Sequence, residues 1–241
     1  MEIEKDKRDY SYISKNVEFV RSEIENTKHE SGRDGEEVIL LAAIKSADVG
    51  EINYLHRELG INDVGENRVQ QLLERWESLD REGLRVHFIG KLQTNKVKYI
   101  IDKVCMIHSL DNIRLAREIN KRASDAGIVM DVLVEINIGR EENKSGVMPE
   151  QVADFCEEIA ELDCIRICGF MTMAPDCEKL GGEENYLKYF EETYQLTLDI
   201  WQKKLHNIGR PVLSMGMSGS YREAVAKGAS IVRVGRTLFQ K

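Results

Sequence analysis

Proline is scarce, at three residues in 241, and no low-complexity segment or long run of one charge interrupts the chain. Nothing reads as a linker, so residues 1–241 are expected to form one domain large enough for a substantial core. No apolar run approaches the ~20 residues that span a bilayer. The first residues, MEIEKDKRDYSY, are charged rather than basic and then apolar, so a cytoplasmic protein without membrane association is expected. Basic charge is also short, with 34 Lys and Arg against 42 Asp and Glu and a formal net charge of −8. That argues against a protein that neutralises a nucleic-acid backbone, and leaves room only for a local basic pocket. The five cysteines, Cys105, Cys156, Cys164, Cys168 and Cys177, are odd in number and lack paired metal-ligand spacing. Reduced thiols without a structural metal are expected.

What is present is a repeated alternation of two periods. Residues 11–29 carry Ile13, Val17, Val20 and Ile24 at helical spacing among charges, which predicts an amphipathic helix that seals the barrel bottom or meets a partner. VILLAAI (38–44) is an apolar run of strand length. Further strands are predicted at 63–64, 86–89, 104–107, 129–136, 165–170, 212–214 and 231–234. Between them, helical patterns fall at about 48–59, 67–79, 94–101, 112–126, 149–161, 184–204 and 219–227. Eight strand-then-helix units with nearly continuous apolar strands predict a parallel sheet covered on both faces. A (β/α)8 barrel takes ~250 residues. It is the expected architecture, over about 38–239, preceded by the extra helix. The competing open doubly wound sheet would favour a Gly-x-Gly-x-x-Gly turn after the first strand, and none is there.

Reactive groups in such barrels sit where strands end. Lys45 follows LLAAI directly. Enclosed by apolar walls or other cations it would be a neutral amine able to form an imine with an aldehyde; otherwise it simply reaches solvent. SMGMSGSYREA and VRVGRT follow the last two strands, where barrels commonly bind phosphate. Ser218, Gly219 and Ser220 lead into a helix with Ser220 and Glu223 in capping-box spacing, so free N–H groups would face an anion, and Gly235 and Arg236 add donors. A capped helix and a glycine turn would also account for them. Arg233 interrupts the apolar IVRV, so it pairs with a carboxylate or lies against the pyridine nitrogen of a cofactor. In the second case the guanidinium, which only donates, leaves that nitrogen unprotonated and makes a poor electron sink.

Three more loops are rich in polar groups. In VGEN, Asn67 caps a helix or reaches a ligand. HFIGKLQTNK gathers His87, Lys91, Gln93, Asn95 and Lys96, with His87 read as a satisfied core histidine in preference to a general base. In NIGREENKSG, Lys144 is a second amine, assigned to the surface. Met171 and Met173 are soft packing near a strand end.

LLAAIK, VGEN, HFIGKLQTNK, IHSLDN, INIGREENKSG, GFMTM, SMGMS and VRVG stand in one order across nearly the whole chain. In this the sequence resembles the pyridoxal phosphate homeostasis proteins, which share the alanine racemase N-terminal barrel. The resemblance implies that Lys45 forms an imine with pyridoxal 5′-phosphate and that Arg233 meets the pyridine nitrogen. It further implies that Ser218, Gly235 and Arg236 bind the phosphate, and that Asn67, Met171, Ser214 and Met215 lie around the cofactor. The implied role is non-catalytic: intracellular cofactor homeostasis and delivery with effects on amino-acid and keto-acid balance. Its partners would be the cofactor and, transiently, apoenzymes, with no nucleic acid and a monomeric chain. The sequence departs from the family pattern in lacking a proline in KSADVGEI and in carrying Arg236 where threonine or serine is usual. Two alternatives use the same residues. A racemase-type enzyme would need a second acid–base group, from a loop tyrosine or His87, and a phosphosugar aldolase or isomerase would pair Lys45 with Glu66 or His87.

Overall fold

Apolar runs without a polar face become strands covered on both sides. In the computed structural model, which describes residues 9–176, 182, 184–202 and 211–241, the strands are β1 (Ile39–Ala43), β2 (Asp63–Glu66), β3 (Arg85–Phe88), β4 (Met106–Leu110), β5 (Met130–Ile136), β6 (Ile165–Thr172), β7 (Val212–Met217) and β8 (Ile231–Val234). They pair in chain order, all parallel, and β8 returns to β1 with Leu41 opposite Arg233, closing the expected barrel. The helices are α1 (Ser11–Glu30), α2 (Val49–Leu59), α3 (Val69–Arg75), α4 (Ile113–Asp125), α5 (Val152–Ile159), α6 (Glu184–Trp201), α7 (Tyr221–Ala226) and α8 (Arg236–Phe239). Among the described residues no helix is long and apolar enough to cross a membrane. Cys105, Cys156, Cys164 and Cys168 are free thiols, while Cys177 and positions 203–204 of the last long helical pattern lie outside the described residues.

Some predicted segments differ in kind or in bounds. The 94–101 pattern is a 3-10 helix, Thr94–Tyr99. β4 starts at Met106, because the N–H of Val104 is bonded to the Ile100 carbonyl at 3.1 Å in the preceding turn.

Strand alternation sorts side chains into two layers. Leu40 and Ala42 of β1 join the large apolar layer between sheet and helices, whereas Leu41 and Ala43 point inward with Ile89 and Ile231. Leu133, Cys168 and Met171 form a second inward group. Asp63, His87, His108, Ser214 and Arg233 are buried polar residues in phase with these inward positions.

The first helix is as predicted, but it does not seal the barrel bottom. It packs on α7, α8 and α2, on the flank where β8 meets β1. Ile13, Val17, Val20 and Ile24 are buried there, each stabilising by roughly 1.5–3 kcal/mol. The Asn16 side-chain amide donates to the carbonyls of Leu238 (3.2 Å) and Gln240 (2.8 Å). Where the family's proline is missing, Asp48 and Glu51 form a reciprocal capping box that starts α2.

Candidate functional site

The C-terminal ends of the strands surround a cavity of about 1130 Å³. Lys45, Asn67, Ser218, Arg233, Gly235 and Arg236 line it, so six of the expected residues are brought together. Three others are not on its wall. Met171 packs inside the barrel with Leu133 and Cys168, and it is Met173 that reaches the cavity. Ser214 lies beneath Arg233. Met215 has the opposite strand parity and is buried in the outer layer against the helices.

Lys45 stands two residues beyond β1 and its side chain is exposed, so of its two readings the one with enclosing apolar walls does not hold. Its backbone is fixed instead. Arg75, from the end of α3, donates to the carbonyls of Ile44 (3.0 Å) and Ala47 (2.8 Å), and the Gln71 amide donates to that of Lys45 (2.9 Å). Arg75 is itself held by Glu66, fully buried, at 3.2 Å. Burial raises the Glu66 pKa, opposed by its hydrogen bonds from the Asn67 and Arg68 N–H groups and by Arg75. The Glu66 carboxylate therefore satisfies the N–H groups at the start of α3, and Asn67 is not the cap. Asn67 Oδ1 is buried with no hydrogen-bond partner among the described residues, an acceptor that calls for a donor from the cavity. The backbone there is approached closely by Gly90, where a Cβ would come within 2.1 Å of the Asn67 carbonyl oxygen.

At the other side, Ser218 Oγ accepts from the N–H groups of Gly235 and Thr237, both at 3.3 Å, tying the last two loops together. The expected Ser220–Glu223 capping box is not formed, because Ser220 Oγ accepts from the Met217 N–H at 3.2 Å. With α7 only six residues long, an anion here would meet individual N–H groups and the exposed Arg236 guanidinium more than a macrodipole.

Arg233 is buried in the cavity floor. It donates to Ser214 Oγ (2.8 Å) and the Thr172 carbonyl (3.0 Å), and among the described residues it forms no ion pair. Burial draws its pKa down to about 10, against the pull of Glu135, and the group remains a cation at neutral pH. Glu135, hidden in the apolar VEINI run, is a buried carboxyl on the cavity wall that sequence reading missed. Burial and Asp111 push its pKa up to about 7, against Arg233 and Lys91.

The folded state thus prefers Glu135 protonated. The stability this gives is fully present below the unfolded value of 4.5 and is lost as pH rises through about 7. Between pH 5 and 8 the unfolding free energy of wild type is expected to fall by up to about 3 kcal/mol more than that of Glu135→Gln. Urea titrations at the two pH values check this; parallel pH profiles would refute it.

His87 is a satisfied core histidine, as expected, hydrogen-bonded at both ring nitrogens to Asp63 and His108. His108 carried no signal in the sequence beyond its place in IHSLDN.

The family described as alanine racemase, N-terminal domain, matches residues 20–240. A pyridoxal phosphate homeostasis protein of Aquifex aeolicus is 41% identical over 91% of this chain and 94% of its own length. A crystal structure of a Bifidobacterium adolescentis protein superposes with a TM-score of 0.87 at 32% identity, covering 99% of this chain and 98% of that one. PipY of Synechococcus elongatus with PLP bound gives a TM-score of 0.79 at 26% identity, over 94% and 99%.

Proposed function

The chain belongs to the pyridoxal phosphate homeostasis proteins of the alanine racemase N-terminal domain family, and from that we propose that it binds pyridoxal 5′-phosphate as an imine on Lys45. Its role is to hold and hand over the cofactor without turnover, as a cytoplasmic monomer meeting apoenzymes transiently and influencing amino-acid and keto-acid balance.

The observation that carries this reading is Arg233, a buried cation in the cavity floor without an ion-pair partner among the described residues. A buried guanidinium needs acceptors, and two of its five donors are used by Ser214 and Thr172. A pyridine nitrogen is an acceptor of the right kind. The remaining groups fit the rest of the molecule: the Ser218–Gly219 loop and the Arg236 guanidinium for the phosphate, and the orphaned Asn67 Oδ1 for a ring hydroxyl. When bound, the cofactor would supply an electrophilic aldehyde, and Lys45 is the amine placed to hold it. Arg233 can only donate, so it keeps the ring nitrogen unprotonated and withholds the electron sink that carbanion chemistry requires.

Two of the partners that the enzyme alternatives would draw on are already engaged. His87 and Glu66 are both buried in hydrogen bonds and neither lines the cavity. Neither is placed to act as an acid or base beside Lys45.

Incubation with pyridoxal phosphate is expected to give a visible absorption band. Borohydride reduction and peptide mapping should place the label on Lys45, although Lys91 and Lys144 line the same cavity. Protein that stays colourless, or a label on either other lysine, would overturn the assignment.

A further inference from the structure

Five buried polar side chains cross the barrel interior in one unbroken chain. Asp63 Oδ1 lies 2.9 Å from His87 Nε2, His87 Nδ1 lies 2.9 Å from His108 Nε2, and His108 Nδ1 lies 3.1 Å from Ser214 Oγ. Ser214 Oγ in turn accepts from Arg233 at 2.8 Å. The chain starts on β2, passes β3 and β4, and spans the lumen to β7 and β8. His108 and Ser214 are fully buried and the other three nearly so, so the inner links have no bulk water to turn to instead.

Donor and acceptor chemistry fixes its direction. Arg233 only donates, so Ser214 accepts there and passes its own hydrogen to His108 Nδ1. The His108 ring proton must then sit on Nε2 and point at His87 Nδ1, which places the His87 proton on Nε2, facing the Asp63 carboxylate. All four contacts are satisfied with both imidazoles neutral. The reverse order needs a charged His87 and makes Ser214 accept from both sides, leaving its buried hydroxyl hydrogen without an acceptor, a cost of about 1–3 kcal/mol. Two further features agree. Burial, His87 and Arg233 all depress the His108 pKa well below its usual value. Burial raises the Asp63 pKa, but hydrogen bonds from His87 and Arg85 outweigh it and leave a carboxylate.

We infer that Asp63, His87, His108 and Ser214 are positioning residues for Arg233: the chain relays a distant carboxylate to the guanidinium, fixes one of its nitrogens, and turns its unused donors to the ligand. Only the identity of that ligand rests on the pyridoxal phosphate reading.

Nitrogen-resolved NMR of the ligand-free protein at pH 7 should find both imidazoles neutral and protonated at Nε2. His108→Leu should weaken pyridoxal phosphate binding about tenfold, the worth of one buried hydrogen bond, and move the absorption maximum. His108→Gln, whose amide again offers one acceptor and one donor, should restore both. If His108→Leu does not fold, Ser214→Ala cuts the same link with less loss of volume and should show the same weakening. A proton on His108 Nδ1, a charged His87, or a cut chain with wild-type affinity and spectrum would each overturn the inference. Wild-type protein that takes up no pyridoxal phosphate would defeat the cofactor reading, while the tautomers, measured without ligand, still decide the chain.

Discussion

Lys45→Ala is expected to give a folded, colourless protein. The lysine side chain is exposed and has no hydrogen bond or ion pair among the described residues; the contacts at this position belong to its backbone carbonyl. Truncation should therefore change the unfolding free energy by no more than about 0.5 kcal/mol. Retention should fall far more, because the covalent link is lost while the phosphate and ring contacts remain. A dissociation constant higher by roughly 100-fold or more, equivalent to about 2.7 kcal/mol, is expected from dialysis or fluorescence titration. Borohydride should then trap no label at any lysine. A variant that stays yellow would move the imine to another cavity lysine. One that unfolds would mean that Lys45 is a structural residue.

Arg75→Ala should have the largest effect on stability. Glu66 is fully buried and Arg75 is its cationic partner; breaking such a pair from one side leaves an uncompensated charge and costs roughly 3–5 kcal/mol. The same substitution releases the carbonyls of Ile44 and Ala47 on either side of Lys45, so cofactor retention should fall as well. The sign of the pH effect is set by Glu66, whose pKa is already raised by burial. It rises further without Arg75, so stability is lost as pH increases, and the gap between variant and wild type should narrow from pH 7 to 5. Adding Glu66→Gln to Arg75→Ala should recover part of the loss at pH 7. A double variant no more stable than the single one, with a gap independent of pH, would show that the clamp and not the buried charge dominates.

The barrel was legible because its evidence is local. Each strand is a short apolar run and each helical connection has its own period, so the order of elements follows from neighbouring residues alone. That Lys45, Ser218 and Gly235 line the cavity was legible for the same reason: they follow strands, and the cavity lies at the strand ends. Arg233 stood out because a charged residue inside the apolar IVRV must find a partner. The His108 link was not legible, since it joins residues 106 positions apart and exists only once the barrel closes. Glu135 was hidden by the opposite effect, in a run apolar enough to read as strand. Met215 failed on parity: within SMGMS one residue decides between the lumen and the helix layer, and the register of β7 shifts there. Ser220 shows that spacing is not bonding, because its hydroxyl is taken by the N–H of Met217 rather than by its helix.

Closure of the barrel also sets an order of events in folding. Leu41 and Arg233 are register partners, yet most of the chain lies between them, and the loop they close is the longest among the strand pairs. Contacts of such high sequence separation form late. The Lys45 loop and α3 can assemble early from adjacent segments, whereas the guanidinium and both loops proposed to bind phosphate arrive only with β7 and β8. A chain halted before that final pairing would carry the amine without the groove around it. Cofactor retention is therefore a sensor of the last folding step, and ligand should shift the equilibrium specifically toward the closed ring.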